Sequence, residues 1–495
     1  MNCLAPFASV AALLVGGLGG TEPAAAADPV QISGQANVVV IFTDDQGYGD
    51  VGSFGATGYE TPNLDRMARE GMRLTDFYVS QAVCSASRAS LLTGCYNVRL
   101  GITGALGPGS QIGLHPDEVT IADLARSRGY ATAMVGKWHL GDALEFLPTR
   151  QGFESYYGIP YSHDMWPLHP ENDLRIKRTG RGWPSLPMME GTAADGVRVI
   201  NDDLQPADVD ELTTNYTTRA VGFIDEHADE PFLLYVAHSL PHVPLFVSEK
   251  FAGTQPAGLY GDVIREIDWS VGEVLEALER NGLTEKTFVV FCSDNGPWLN
   301  YGNHAGSSGP LREGKGTTFD GGVRTPMIMK LPGVIPAGSE SDAVAGTIDL
   351  LPTIATLIGA SLPQQPIDGV DLWPVLTQHP QAGAPHEALY FWWGRELQAV
   401  RSGRWKLHFD HKYRFVENAG ADGQPGKQTQ RSQPQALYDL EADIAEANDV
   451  AADHPDVVSR LETLAEAMRQ RLGDTRTNTV GREVREPGRL QAATN

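Results

Sequence analysis

A cysteine and an arginine four residues apart, Cys84 and Arg88, share one face of any helix that begins at Cys84, in the run C-S-A-S-R-A-S-L-L-T-G. Cys84 would then stand at the helix N-terminus, where unpaired N–H groups and the dipole favour negative charge, and Gly94 reads as the stop. Spacing alone favours the plainer reading, an ordinary amphipathic helix with a buried cysteine. Asp44-Asp45 and Asp294-Asn295 each follow an apolar run. Carboxylates and an amide oxygen suit a hard cation, although Asp before a Gly-rich stretch also makes a simple turn. Lys137 and His139, two apart, project the same way from an extended chain; by themselves they read as a solvated lysine and a packed histidine. Lys315 lies between two glycines that allow close backbone approach without the Walker A spacing, and by itself reads as the exposed lysine of a glycine-rich hairpin.

The elements that must position these groups are legible from pattern. N-V-V-V-I-F-T from Asn37 is a β-branched apolar run, the mark of a parallel strand buried on both faces, and it ends at Asp44-Asp45. Open α/β sheets place ligands at such strand ends. Y-A-T-A-M-V leads to Lys137, Pro231–His238 is a further buried strand, and Thr287–Cys292 ends before Asp294. Helices are expected over Thr61–Glu70, Thr120–Arg128, Leu259–Arg280 and Asp456–Leu472, with a strand-to-helix junction at Thr347–Gly359. Residues 166–210 are rich in Pro, Gly and charge, and are read as a long irregular insertion at a substrate mouth. After Pro380 short strands at Ala388–Trp393, Ala399–Ser402, Trp405–Phe409 and Leu437–Leu440 suggest a small antiparallel sheet. Residues 420–434 and the last twenty or so are polar and read as mobile. There are no internal repeats.

The Cys84 run resembles the signature of the type I sulfatases, in the alkaline phosphatase superfamily, where the cysteine of C-x-(P/A)-x-R becomes formylglycine. Cys84, Ala86 and Arg88 match it, as does the A-x-L-x-T-G that follows. The sequence departs from it with Ala86, where proline is commoner, and Cys95, where a basic residue is commoner. Further matches are D-D-Q-G-Y-G-D from Asp44, G-K-W-H-L-G from Gly136, P-H-V-P from Pro241, D-N-G from Asp294 and E-G-K-G-T-T-F-D-G-G from Glu313. G-I-P-Y-S-H-D from Gly158 is similar to an arylsulfatase segment. The resemblance covers most of residues 37–475. It implies an alkaline phosphatase-like α/β fold with a large, mixed, mostly parallel sheet, plus a small C-terminal domain with an antiparallel sheet and a helix. The divisions expected are a signal peptide (1–27), a catalytic domain (28–378), a C-terminal domain (379–475) and a flexible tail (476–495).

By the same resemblance the activity is sulfate monoester hydrolysis of the arylsulfatase type, with the hydrated aldehyde of 3-oxoalanine (formylglycine), made from Cys84, as nucleophile. Asp44, Asp45, Asp294 and Asn295 would hold Ca²⁺ or Mg²⁺ against the formylglycine oxygen. Arg88, Lys137 and Lys315 would meet the sulfate oxygens, Ser162 would contact the site, His139 would take a proton to release sulfate, and His242, preferred to His238, would serve the leaving group with Lys315. A formylglycine-generating maturation enzyme is an implied partner. The alternatives are a phosphomonoester or phosphonate monoester hydrolase of the same superfamily, and a non-catalytic secreted binding protein.

Composition sets bounds on these readings. The chain has 495 residues, 41% hydrophobic and 20% charged, which suits a globular protein with room for a second domain. A net charge of −24 argues against nucleic acid and anionic membrane surfaces, and it requires any anionic substrate to meet a locally cationic pocket. Met1–Ala27, with an apolar run at Val10–Leu18 and four alanines before Asp28, is similar to a secretory signal, though no Lys or Arg precedes the run; a disordered or anchoring N-terminus is the alternative. The run is too short to span a bilayer, so no stable membrane insertion is expected and export to a periplasm or beyond is. Cys3 would leave with the signal, and nothing brings Cys95 and Cys292 together. Aryl sulfates, sulfated glycans and sulfolipids all remain as substrate classes, with Trp166, Trp183 and Trp298 read as core residues before stacking platforms. Nothing in the sequence bears on oligomeric state.

Overall fold

Every residue of the strand Asn37–Thr43 is buried because it has a parallel neighbour on each side, Thr287–Ser293 and Phe232–Ala237. Alternation sends Val39 and Ile41 into one apolar layer and Val38, Val40 and Phe42 into the other, which is why the run shows no polar face. In a computed structural model that describes Met1 and residues 35–490, this strand lies inside a ten-stranded sheet. The order is Ser339–Ser341, Met72–Leu74, Met327–Lys330, Thr287–Ser293, Asn37–Thr43, Phe232–Ala237, Ala131–Gly136, Ser155–Gly158, Met188–Thr192, Gly196–Asn201. Five neighbouring pairs are parallel, including all those between Thr287–Ser293 and Ser155–Gly158. Helices Leu212–Glu226 and Leu259–Arg280 cover one face; Cys84–Thr93, Ile121–Ser127 and Leu350–Ile358 cover the other. The sheet is mixed and mostly parallel, as expected.

Beyond it, Leu389–Trp393, Glu396–Ser402, Trp405–His408 and Ala436–Asp439 form an antiparallel sheet, against which the helix Pro455–Leu472 packs. A buried ionic network joins this sheet to the larger one. Lys406 Nζ lies 2.7 Å from Asp320 and 3.0 Å from Glu446, His408 Nε2 is 2.9 Å from Glu446, and Glu446 accepts the Asp320 N–H at 2.7 Å.

Three expectations need correction. Residues 166–210 are more ordered than an irregular insertion: they hold the helix Asn172–Thr179, the hairpin Met188–Thr192/Gly196–Asn201 that extends the central sheet, and the short helix Pro206–Asp210. Neither Asn172–Thr179 nor Gly196–Asn201 buries a residue fully, so no apolar period marks them. Residues 420–434 contain a strand, Lys427–Gln433, paired with His411–Asn418; its own residues are polar and mostly unburied, so no apolar alternation marks it. The tail is also pinned: Gly488–Arg489 pairs with Ile112–Gly113, and Arg485 Nε meets Glu118 Oε1 at 2.8 Å. Residues 491–495 and, apart from Met1, the signal-like segment with Cys3 lie outside the described residues. Cys84, Cys95 and Cys292 are all free.

Candidate active site

Four adjacent parallel strands end side by side, so residues far apart in sequence meet along one edge of the sheet. Thr43 pairs with Ser293, which sets Asp44 beside Asp294, and Gly136 pairs with Ala237, which sets Lys137 beside the His238–Pro244 segment. Close packing at this edge requires glycine. Gly136 has φ +113°, and a Cβ there would lie 1.9 Å from Ala237 O.

The helix Cys84–Thr93 reaches this edge by its N-terminus. No side chain caps it, so the positive end of its dipole is directed at Cys84. It is buried on all sides and not amphipathic. Two of its hydroxyls are satisfied within the helix: Ser90 Oγ donates to Ala86 O at 3.1 Å and Thr93 Oγ1 to Ala89 O at 2.7 Å.

The structure brings all eleven expected residues into one cluster. Arg88 Nη2 donates to Asp294 Oδ2 at 2.9 Å and lies 3.4 Å from Asp44 Oδ2, with its guanidinium 5.4 Å from the Phe42 ring centroid. Lys137 Nζ is bonded to Asp44 and donates to Ser162 Oγ at 2.9 Å. Lys315 Nζ donates to Asp45 Oδ1 at 2.6 Å and lies 3.7 Å from Cys84 Sγ. Asn295 Nδ2 donates to the same Asp45 oxygen at 2.6 Å. His242 Nε2 is 3.5 Å from Asp45 Oδ2, and its Nδ1 is bonded to Val243 O at 2.6 Å. His139 Nε2 is bonded to Leu106 O at 2.8 Å. Asp45 and His139 both occupy left-handed backbone, φ +64° and +62°, a conformation that costs energy for a side-chain-bearing residue and is held by its surroundings.

The unpaired atoms are informative. Asp44 Oδ1, Asp45 Oδ2 and Asn295 Oδ1 are buried without a hydrogen-bond partner, while the lysines occupy the opposite carboxylate oxygens. One oxygen each from Asp44, Asp45 and Asp294 lie within 4.8 Å of one another, and atoms of Asp44, Cys84 and His242 meet the same limit. Orphaned buried oxygens are costly, and an all-oxygen donor set fits a hard divalent cation. Three carboxylates face three cations among the expected residues, so such a cation would leave the cluster net positive within a chain of net charge −24.

Burial governs the protonation states. It pushes the Asp294 carboxyl, with Asp44 and Asp45 beside it, up to about 7. Burial would raise Asp44 too, but Lys137, His242 and Arg88 hold it well below the carboxylate range. The Cys84 thiol is pushed up to about 12 by burial, against the pull of Lys137 and Lys315, so it is not a thiolate at neutral pH. Burial, with Lys137 and Arg88, holds the His139 imidazole well below its ordinary value. Because Leu106 O only accepts, His139 Nε2 carries the proton, and Nδ1, buried with no partner, is a free lone pair.

A cavity of about 190 Å³ opens over this floor. Cys84, His139, Ser162, His242 and Lys315 line it together with Asp164, Trp298, Trp393, Arg414 and Gln428. Asp164, Trp393, Arg414 and Gln428 carry no site expectation, and Trp298, expected in the core before a stacking role, lines the cavity instead. Asp164, held low by His242, Lys137 and a hydrogen bond from Ser162 despite its burial, lies in the same G-I-P-Y-S-H-D run as Ser162 and was within reach of that signal. Trp393, Arg414 and Gln428 come from the C-terminal part of the chain, where no motif marks them. Among the tryptophans, Trp166 is buried against Phe246 and Trp183 carries Arg175 over its ring. Trp298 lines the cavity, 4.8 Å from Lys315 Nζ. His238 lies outside it, 3.3 Å from Ser270 Oγ.

Known proteins resemble the chain in sequence and in fold. A family model described as Sulfatase matches residues 36–360, and one described as the C-terminal region of aryl-sulfatase matches residues 384–491. The chain is 39% identical over 451 residues to arylsulfatase A of Homo sapiens, covering 86% of each. The PsFucS1 sulfatase from Pseudoalteromonas sp. superposes with a TM-score of 0.79 at 28% identity, over 88% of this chain and 90% of that one. Ps i-CgsB, solved in complex with k-i-k-neocarrahexaose, gives 0.74 at 27% identity, over 93% and 96%.

Proposed function

The chain belongs to the sulfatase family and hydrolyses sulfate esters, and from that premise we propose that the reaction takes place at the Cys84 cluster. Cys84 is read as the precursor of formylglycine, and Asp44, Asp45, Asp294 and Asn295 as the holders of Ca²⁺ or Mg²⁺. The observation that carries this reading is the placement of Cys84 beside Asp44, in a cluster with three orphaned oxygens, under a cavity edged by Lys315 and His242. A thiol pushed up to about 12 is a poor nucleophile; the hydrated aldehyde would supply an oxygen nucleophile in its place. The cation would supply positive charge to that oxygen and to the sulfate.

The chain's own residues do the rest. Arg88 orients Asp44 and Asp294 from behind. Lys137, between Asp44 and Ser162, and Lys315, between Asp45 and Cys84, present ammonium groups to the sulfate oxygens. His139 accepts a proton at Nδ1, its only open nitrogen. His242, with Nδ1 fixed on Val243 O, directs Nε2 towards the leaving-group side. Maturation must precede folding, because Cys84 is 3% exposed and Ala86 not at all. This requires a formylglycine-generating enzyme that accepts Ala86. The Met1–Ala27 segment supports export to a periplasm or beyond, and the neocarrahexaose complex of a structural relative supports a sulfated glycan as substrate. Nothing in the cavity favours a phosphomonoester or phosphonate over a sulfate ester.

The test is peptide mass spectrometry across Cys84 on protein from its native host, with Cys84→Ala as control. The expected peptide has exchanged H₂S for O, and the Ala variant folds with unchanged circular dichroism but releases no sulfate. An unmodified thiol in active enzyme, or an active Cys84→Ala variant, overturns the proposal.

A further inference from the structure

The outer wall of the cavity is built by the C-terminal part of the chain. In the ribbon His411–Asn418/Lys427–Gln433, Arg414 pairs with Gln430 and Val416 with Gln428. Alternation therefore brings Lys412, Arg414, Val416, Gln428, Gln430 and Ser432 to one face. That face carries two cations and no carboxylate, in a chain of net charge −24. Arg414 and Gln428 reach the cavity lining from it. Arg414 is exposed and makes no ion pair among the described residues, whereas nearby Arg431 stacks 3.1 Å from the Phe415 ring centroid and Arg312 donates to Glu446 O at 2.7 Å.

The ribbon is fixed against the segment that carries Trp298. Gly420 and Gly426 both donate to Asn300 O, at 2.9 and 2.8 Å, and Asn303 Nδ2 donates to Asp422 Oδ1 at 2.9 Å. The strand that carries Arg414 is thus held in place, while its guanidinium stays exposed. Trp298 and Trp393 line the cavity between this wall and the floor, and about 190 Å³ leaves room for a sulfate and little more than one ring. Arg414 lines the same cavity as Cys84 and Lys315, where a group attached to such a ring could meet it.

We infer that Arg414, supported by Gln428, forms a second anion-recognition subsite, which selects sulfate esters whose leaving group is a saccharide bearing another anion. The inference rests on the placement of the reacting sulfate at the Cys84 cluster. A guanidinium pairs with a carboxylate or sulfate through two parallel hydrogen bonds, and the indoles offer apolar faces to a sugar ring. The second anion has two sources, another sulfate or a uronate carboxylate, and separate substrates distinguish them.

The experiment compares kcat/KM of the matured enzyme on 4-nitrophenyl sulfate, a monosulfated hexosamine, its disulfated counterpart and a monosulfated disaccharide containing a uronate. The wild-type enzyme is expected to prefer one or both of the last two. Arg414→Gln should lower that preference about ten- to hundredfold, the worth of a charge-assisted contact, mainly through KM, and Arg414→Lys should recover part of it. Loss confined to the disulfated substrate assigns a sulfate; loss confined to the uronate substrate assigns a carboxylate. No preference in the wild type, or an equal loss on all four substrates in Arg414→Gln, overturns the inference. Absence of sulfate release from every ester by the wild type, or undiminished release by Cys84→Ala, overturns the reading of the Cys84 cluster instead.

Discussion

His139 shows how much a single hydrogen bond determines. Its Nε2 faces a backbone carbonyl, which can only accept, so the ring is locked with its basic lone pair on Nδ1 and no protein group nearby to use it. Replacement by glutamine keeps a donor near Nε2 and removes the lone pair. His139→Gln should lower kcat about 10²- to 10⁴-fold, the usual worth of a positioned general base, with KM changed little. Steady-state kinetics on an aryl sulfate measure both, and an equal loss through KM alone would show that the imidazole binds substrate rather than moving a proton. The eleven residues brought together were legible only through the family resemblance: they fall inside short contiguous runs, such as G-K-W-H-L-G, whose match to a signature outweighs the plainer reading that spacing alone favours. Asp164 lay in such a run and was missed because its neighbour Ser162 already explained the match.

At the scale of elements, the larger sheet was readable and the mouth was not. The strands ending at Asp44, Lys137 and Asp294 are buried on both faces, so their composition alone identifies them. The strand Lys427–Gln433 and the helix Asn172–Thr179 are solvated on most sides, and nothing periodic records their presence. Substrate selection is expected to concentrate in such elements, because the chemistry of the floor is already committed. The two parts are joined through Asp320, five residues after Lys315. Lys406→Met would leave Asp320 and Glu446 buried without their shared ammonium, which costs about 3–5 kcal/mol when one partner of a buried pair is removed. Urea unfolding should show that loss, and kcat should fall with it, because Asp320 holds the end of the loop that presents Lys315. Full stability in Lys406→Met would mean that the network contributes nothing to joining the domains.

For the molecule as a whole, pH acts through groups that burial keeps in one state. His238, His163 and His411 are buried, and burial pulls each down to about 4. An unfolded histidine titrates near its ordinary value of about 6.5, so between these limits the unfolded chain binds more protons. Their contribution to stability is complete above about pH 6.5 and is lost as pH falls towards 4. Asp50 works in the opposite sense: burial lifts it to about 6, so the folded state gains a proton, and stability, as pH falls through that value. The net slope is therefore shallower than three histidines alone would produce. The clean measurement isolates His238, whose shift has burial as its one cause and which lies outside the cavity. His238→Gln is less stable than wild type at pH 7, because it gives up a packed ring, but it does not titrate. The gap in unfolding free energy should narrow by up to about 1.4 kcal/mol per pH unit as pH falls from 6.5 to 4. Urea unfolding of both proteins at several pH values reads this directly. A gap that stays constant with pH would mean that His238 takes up its proton in the folded state, and with it that water reaches the layer between the sheet and the helix Leu259–Arg280.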